Sequence, residues 1–128
     1  MDQGEELIRD IWRRWNEGER SPEAVEIDPG VEIHSALAKN VYSGTDGLRS
    51  WIDEIDEQFE SWELGIDEIR KLGPDSYIVH GSIHARGRTS GLDLDQPASW
   101  LVDLREGQLF RLRNFIGQQA REAAEEAK

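Results

Sequence analysis

The chain has 128 residues, no cysteine and a net charge of −12. The length indicates a single domain over residues 1–128, and the lack of cysteine excludes disulfides, thiolate catalysis and cysteine-ligated zinc. The negative charge argues against nucleic acid or an anionic membrane surface as a partner. No apolar run approaches the roughly 20 residues of a membrane helix, and the acidic N-terminus does not resemble a signal peptide. A cytoplasmic location is expected.

The first half of the chain has helical periodicity. Residues 5–17 are predicted to form a helix with an apolar stripe that includes Trp12 and Trp15, and Gly18 ends it. A short helical turn, a turn at residues 28–30, a strand at residues 31–35 and a loop at residues 36–43 follow. Thr45 is the predicted cap of a second helix.

The second half alternates polar and apolar residues, as half-buried strands do. Four extended segments begin at Trp62, with turns at residues 73–75, 87–91 and 106–107. The alternation slips near residues 67–68, which predicts a bulge. A helical tail ends the chain. Helices followed by long strands predict an α+β fold in which a curved antiparallel sheet and covering helices enclose a cavity.

Five segments resemble the nuclear transport factor 2-like proteins, and within them the SnoaL-like and ketosteroid isomerase-like proteins. The segments are IRDIWRRWNEGE, DPGVEIHS, VYSGTDGLRSW, GSIHARGRTSG and WLVDLREGQLFRLRNF. The resemblance implies a cone-shaped fold, with N-terminal helices on a strongly curved antiparallel sheet, and commonly a homodimer. These proteins include isomerases, cyclases, dehydratases, epoxide hydrolases and binders, so the resemblance implies no single reaction.

The steroid isomerase residues are not reproduced in this chain. The resemblance places His34 where those enzymes have an aspartate base. It places Ile11 and Trp100 where they have a tyrosine and a protonated aspartic acid that hold the oxyanion. Neither residue is a comparable oxyanion donor, although the Trp100 indole N–H can donate a hydrogen bond. The steroid isomerase mechanism is therefore not expected.

Glu32 and His34 are the candidate catalytic pair, with His34 as general base. They share one face of a predicted strand, and Val31 and Ile33 share the other. Histidine titrates near working pH, and a nearby carboxylate favours its protonated form. Alternation alone favours Val31 and Ile33 in the core with the pair in water. The resemblance instead favours Glu32 and His34 toward the cavity, and that orientation is the prediction.

The candidate ligand-binding residues are mostly aromatic. Indoles offer a large stacking area and one N–H donor each, although core packing is the alternative role for some of them. The inward-facing amide of Asn114 is either tied to a core group or directed at a ligand. Tyr42 is predicted at the entrance. The candidates are Trp12, Trp15, Tyr42, Trp51, Trp100 and Asn114.

No metal or cofactor is predicted. His80 and His84 lie on the outer face of the predicted sheet without a third ligand, and residues 87–91 form a hairpin turn rather than a phosphate loop. The outer face also carries arginines, Leu101 and Phe115, which suit an interface. A homodimer packed through this face is predicted. The alternative is a monomer whose arginines pair with acids of their own sheet.

Three functions remain open from the sequence. The first is binding of a small apolar, ring-containing metabolite in an aromatic-lined cavity. The second is a cofactor-independent isomerase, cyclase or dehydratase with His34 as base. The third is a dimerising accessory domain with a filled core and no ligand. A cavity above about 300 Å³ would remove the third.

Overall fold

A computed structural model of the protein describes residues 2–36 and 40–128. Helices precede a run of long strands, so the fold class is α+β as predicted. None of the helices in these ranges has the length and hydropathy needed to cross a membrane. The elements are α1 (Gln3–Asn16), β1 (Ile27–His34), β2 (Val41–Ser43), α2 (Gly44–Gln58), β3 (Phe59–Gly73), β4 (Ser76–Gly87), β5 (Asp93–Arg105), β6 (Gln108–Ile116) and α3 (Ala120–Ala127).

The strands form one curved, six-stranded sheet in the order β2-β1-β6-β5-β4-β3. β1 and β6 pair in parallel, and the other neighbouring pairs are antiparallel. The register of β3 against β4 shifts between Ile66 and Glu68, which confirms the bulge predicted near residues 67–68. A bulge bends a strand and increases its twist, so the sheet curves around the helices on one side.

The inner face of the sheet, defined as the face toward α1 and α2, holds the main core. α1 begins after Asp2, whose carboxylate accepts a hydrogen bond from the Glu5 N–H at 3.1 Å and caps the helix. Both helices bury an apolar stripe against the inner face, as their periodicity predicts. The buried residues of the two helices are Ile8, Trp12, Trp15, Leu48, Ile52 and Ile55.

The opposite, outer face is partly covered by α3. Ala124 is buried with Ile78 and Leu101, and Leu72 and Phe115 pack against this group. The predicted dimer rests partly on Leu101 and Phe115, two apolar side chains that were expected to be covered by a partner chain. This part of the prediction is wrong, because the helical tail of the same chain covers both side chains.

A buried polar cluster ties α3 to the sheet. His80 is only 2% exposed. Its Nδ1 lies 2.7 Å from Ser99 Oγ and its Nε2 lies 2.9 Å from Glu125 Oε2. Hydrogen bonds from Arg70 and Lys128, and then from His80, hold the pKa of the Glu125 carboxyl well below its ordinary value. Both ring nitrogens of His80 are therefore satisfied by the fold.

The segment before Gly30 differs from the sequence prediction. The predicted turn at residues 28–30 lies inside β1, and its pairing with β6 shifts register between Ile27 and Glu32. The Asp28 carboxylate accepts two hydrogen bonds from Arg105, both 2.9 Å, and one from the Gly30 N–H at 2.7 Å. This long-range pair holds the irregular segment within the strand.

Two smaller differences concern the chain around α2. The predicted loop at residues 36–43 ends in the short strand β2, and residues 37–39 lie outside the described residues. α2 begins at Gly44, so its N-cap is Ser43 rather than Thr45, and the Ser43 side chain makes no capping hydrogen bond. The apolar stripe of α2 is unaffected, because it depends on spacing and not on the cap.

Candidate functional site

A cavity of about 80 Å³ lies between the inner face and the two N-terminal helices. Its wall includes all five tryptophans of the chain. The lining extends from the fully buried Trp100 to the exposed Glu19, so the cavity reaches the surface beside the end of α1. The other lining residues are Ile11, Trp12, Arg14, Trp15, Arg20, Ser21, Ala24, Glu26, Ile27, Ile33, Leu48, Trp51, Ile52, Trp62, Leu64, Leu109, Leu112 and Asn114.

The tryptophans meet in two pairs. The Trp12 ring is nearly perpendicular to the Trp100 ring, with 5.3 Å between centroids. Trp15 lies 5.5 Å from Trp51 at a tilt of 36°. Edge and tilted contacts are favourable for indole rings and keep them in fixed orientations. α1 supplies one ring to each pair because its two tryptophans are three residues apart and share a helix face.

The two indole N–H groups on α1 differ in their partners. Trp15 Nε1 donates to the Trp62 carbonyl at 2.9 Å. Trp12 is 3% exposed, and its Nε1 has no hydrogen-bond partner among the described residues. Buried donors without a partner are rare and costly. Trp12, a residue of the cavity wall, therefore carries one donor without a partner in the described part of the chain.

Arg20 lies at the mouth of the cavity. Its guanidinium lies 4.2 Å from the centroid of the Trp15 ring. It donates to the Trp15 carbonyl at 3.1 Å and the Trp62 carbonyl at 3.2 Å, and it pairs with Asp56 at 3.1 Å. These contacts join the end of α1, the start of β3 and α2. One side chain thus connects three walls of the mouth.

The other charged groups at the mouth pair with each other. Arg14 Nη1 lies 2.6 Å from the Glu26 carboxylate, and Arg14 Nε lies 3.0 Å from Asp10. Glu19 is exposed. The deep wall, in contrast, is apolar apart from Asn114 and the indole N–H groups. Charge is therefore confined to the rim.

Of the two remaining ligand-binding candidates, Asn114 lines the cavity and Tyr42 does not. Asn114 lines the cavity, and its Nδ2 donates to the His34 carbonyl at 3.0 Å, so a backbone contact orients the amide. Tyr42 packs against the core, and its hydroxyl donates to Glu54 of α2. It is not among the lining residues. The structure therefore places Asn114 at the cavity and Tyr42 beside α2.

Glu32 and His34 lie on the outer face, which corrects the predicted orientation. Val31 and Ile33 are fully buried on the inner side, and Ile33 lines the cavity. His34 Nε2 lies 3.2 Å from Glu32 Oε1, and Arg111 lies 3.4 Å from the same oxygen. The His34 hydrogen bond, helped by Arg111, lowers the pKa of the Glu32 carboxyl. The two-residue period of the strand dictates this outcome, because opposite faces cannot both be inward.

Sequence reasoning missed two residues of the site. Trp62 lines the cavity from the start of β3, but the slipped alternation of that segment obscured which face it occupies. Arg20 was missed because its partners Asp56 and Trp62 are 36 and 42 residues away. For Trp62, counting tryptophans and assigning each to a face would have been a sufficient signal.

Two other features are weaker candidates. A groove of about 630 Å³ beside the start of α1 is polar, and its carboxylates include Asp2, which pairs with Lys71 at 2.9 Å. Within residues 2–36 and 40–128, no group of three or more histidines and carboxylates is arranged to hold a metal ion. The tryptophan-lined cavity is the better candidate because it combines enclosure with an apolar wall.

Neither a family model nor a curated protein matches the sequence, whereas many solved structures match the fold. A nuclear transport factor 2-like protein of unknown function from Burkholderia pseudomallei has a TM-score of 0.81 at 13% identity, over 98% of this chain and 97% of that chain. A candidate SnoaL-like polyketide cyclase from a Jannaschia species has a TM-score of 0.76 at 20% identity, over 98% and 93%. A ketosteroid isomerase-like fold from Catenulispora acidiphila, in complex with trimethylamine, has a TM-score of 0.76 at 11% identity, over 90% and 88%.

These similarities extend over nearly the whole chain at low identity. They therefore establish the fold and leave the activity open. They agree with the resemblance carried by the sequence segments, and with the curved sheet covered by two N-terminal helices. The chain has the nuclear transport factor 2-like fold, which it shares with SnoaL-like and ketosteroid isomerase-like proteins.

Proposed function

We propose that the protein binds a small neutral molecule containing one apolar ring in the tryptophan-lined cavity. The observation that carries this proposal is the convergence of all five tryptophans on one cavity that reaches the surface. Flat indole walls suit stacking with a ring. The ligand is neutral because the deep wall holds no ionised side chain to compensate a buried charge.

The size of the cavity defines what must move. Its volume of about 80 Å³ is well below the roughly 150 Å³ of an engineered apolar cavity that binds benzene. A ring therefore enters only when side chains at the mouth shift. Arg20 and the half-buried Trp51 are the side chains placed to do so, since both border the solvent end of the lining.

Binding accounts for the site better than catalysis does. The charged lining residues are Arg14, Glu19, Arg20 and Glu26, at the rim. His34, the base of the enzymatic alternative, lies on the outer face. The crystal structure of a protein with the same fold contains trimethylamine, which is consistent with binding of a small organic molecule by this fold. No cofactor is part of the proposal.

Titration with toluene tests the proposal against a filled core. The five tryptophans give five indole N–H signals in a proton–nitrogen NMR spectrum. Saturable shifts of these signals on adding toluene support the binding site. Leu48→Phe adds bulk to the cavity wall and should abolish the shifts, whereas Leu92→Phe, at a position 72% exposed, should leave them intact. Unchanged signals in the wild type at saturating toluene would favour the filled-core alternative.

Dimerisation and location complete the proposal. We also propose a homodimer through the part of the outer face that α3 leaves uncovered, where Glu32, His34 and Arg111 lie. Arg111 already pairs with Asp103 of its own sheet at 3.5 Å, as the monomer alternative expects. Sedimentation equilibrium distinguishes the two, since a monomer has a mass of 14.6 kDa. We also propose a cytoplasmic location, as the sequence predicts.

A further inference from the structure

The Trp12 indole N–H indicates what the bound ring carries. Trp12 lines the cavity and is 3% exposed, and its Nε1 has no hydrogen-bond partner among the described residues. An indole nitrogen donates and cannot accept. We propose that the ring-containing ligand carries a neutral carbonyl oxygen that accepts a hydrogen bond from Trp12. This inference rests on the proposed function of the same cavity.

Two other donors of the cavity wall, on Trp15 and Asn114, are already engaged. Trp15 Nε1 donates to the Trp62 carbonyl at 2.9 Å, and Asn114 Nδ2 donates to the His34 carbonyl at 3.0 Å. The Trp12 ring lies next to the Trp100 ring, with 5.3 Å between their centroids. A ligand oxygen is therefore expected on the Trp12 and Trp100 side of the cavity, with the ring toward the other indoles.

The acceptor is a neutral carbonyl rather than a carboxylate. A carboxylate on the deep wall would be a buried charge without a cation, since Arg14 and Arg20 are held at the rim by Glu26 and Asp56. A ketone or aldehyde oxygen accepts a hydrogen bond at a much smaller desolvation cost. A ring without an acceptor leaves the Trp12 N–H unpaired in a dry complex, so such rings bind less tightly.

A matched pair of probes tests this inference. Cyclohexanone and methylenecyclohexane have the same ring and number of heavy atoms, and differ in an oxygen against a methylene. After correction for transfer from water, wild-type protein should prefer cyclohexanone by about tenfold, the equivalent of one hydrogen bond. The Trp12 indole N–H signal, assigned by its loss in Trp12→Phe, should move downfield with cyclohexanone and not with methylenecyclohexane.

Variants separate the hydrogen bond from ring packing. Trp12→Phe should abolish the preference between the two probes, and Trp51→Phe should weaken both probes while keeping the preference. If Trp12→Phe does not fold, the Trp12 signal is assigned in the wild type from nuclear Overhauser contacts between the Trp12 and Trp100 rings, and its shift decides. Equal affinities and an unmoved Trp12 signal would overturn the inference, and would mean that the edge contact with Trp100 already satisfies the N–H. Binding of neither probe would instead overturn the proposed function.

Discussion

His80 and Trp12 are buried on opposite faces of the sheet and differ in their hydrogen bonding. On the outer face, both ring nitrogens of His80 are hydrogen-bonded, to Ser99 and Glu125, beneath α3. On the inner face, the Trp12 indole N–H is equally buried and has no partner among the described residues. A buried histidine attracts attention in a sequence, yet here the fold satisfies it completely. An unsatisfied buried group that lines a cavity, and not merely a titratable group, therefore marks a candidate site.

The largest effect expected from this comparison is loss of packing on the outer face. Leu101 is 2% exposed and packs beneath α3, so Leu101→Ala should lower the free energy of unfolding by about 2–5 kcal/mol. Leu48→Ala on the inner face should cost less, because one side of Leu48 borders the cavity and lacks contacts. Urea denaturation measures both. A larger cost at Leu48 would show that the two faces are packed alike.

A second prediction concerns the charge that holds α3. The folded-state pKa of the Glu125 carboxyl is lowered by Arg70, Lys128 and His80, from an ordinary value of 4.5. A carboxyl whose pKa is lower in the folded chain than in the unfolded chain stabilises the fold at pH values above its unfolded-state pKa. That stabilisation is lost as the pH falls from the unfolded-state pKa toward the folded-state pKa. The free energy of unfolding should therefore fall from about pH 5 downward in the wild type, and Glu125→Gln should flatten that fall.

The control for this pH dependence is Glu126→Gln, at the exposed neighbouring position. Denaturation curves collected between pH 3 and pH 7 compare the three proteins. At pH 7, Glu125→Gln should be less stable than Glu126→Gln, by less than the loss expected for Leu101→Ala. If Glu125→Gln retains the full acid dependence of the wild type, the cluster beneath α3 does not link its charge to folding.

A third prediction concerns the mouth of the cavity. Arg20→Ala removes the guanidinium over the Trp15 ring together with its hydrogen bonds to the Trp15 and Trp62 carbonyls, and should cost about 1–2 kcal/mol. Exchange of the Trp15 indole N–H with deuterium should accelerate about five- to thirtyfold as the mouth opens. Arg88→Ala is the matched control, since Arg88 donates to the Asp56 and Phe59 carbonyls without covering a tryptophan. Equal exchange in both variants would exclude Arg20 as the closing side chain.

The sequence predicted the fold well where the signal is local. Alternation placed the four long strands, and its slip located the bulge between Ile66 and Glu68. Long-range contacts were out of reach: Asp28 holds an irregular strand segment through Arg105, 77 residues later. The position of α3 on the outer face was also unpredictable, because its small alanine face fits many surfaces and specifies none.

The candidate site was predicted in part, for a similar reason. Trp12, Trp15, Trp51 and Trp100 converge because helix and strand periodicity fixes their faces. Glu32 and His34 were placed inward by the resemblance, against the alternation of Val31 and Ile33. The alternation was correct, because turning Glu32 and His34 inward would have moved Val31 and Ile33 out of the core. The unpaired Trp12 N–H could not be foreseen, because hydrogen-bond satisfaction depends on the packed core.

The smallest effect is expected at His34, and it tests the comparison on one strand. Ile33 is fully buried at the cavity and His34 is on the outer face, so adjacent residues sample the two faces. His34→Ala should change the free energy of unfolding by no more than about 0.5 kcal/mol, because its partner Glu32 is also held by Arg111. Cyclohexanone affinity should be unchanged in His34→Ala. Ile33→Ala should alter the affinity and should lower stability by less than Leu101→Ala, because Ile33 also borders the cavity. A weakened cyclohexanone affinity in His34→Ala, with the fold intact by circular dichroism, would place the His34 imidazole at the cavity and restore His34 as the candidate base.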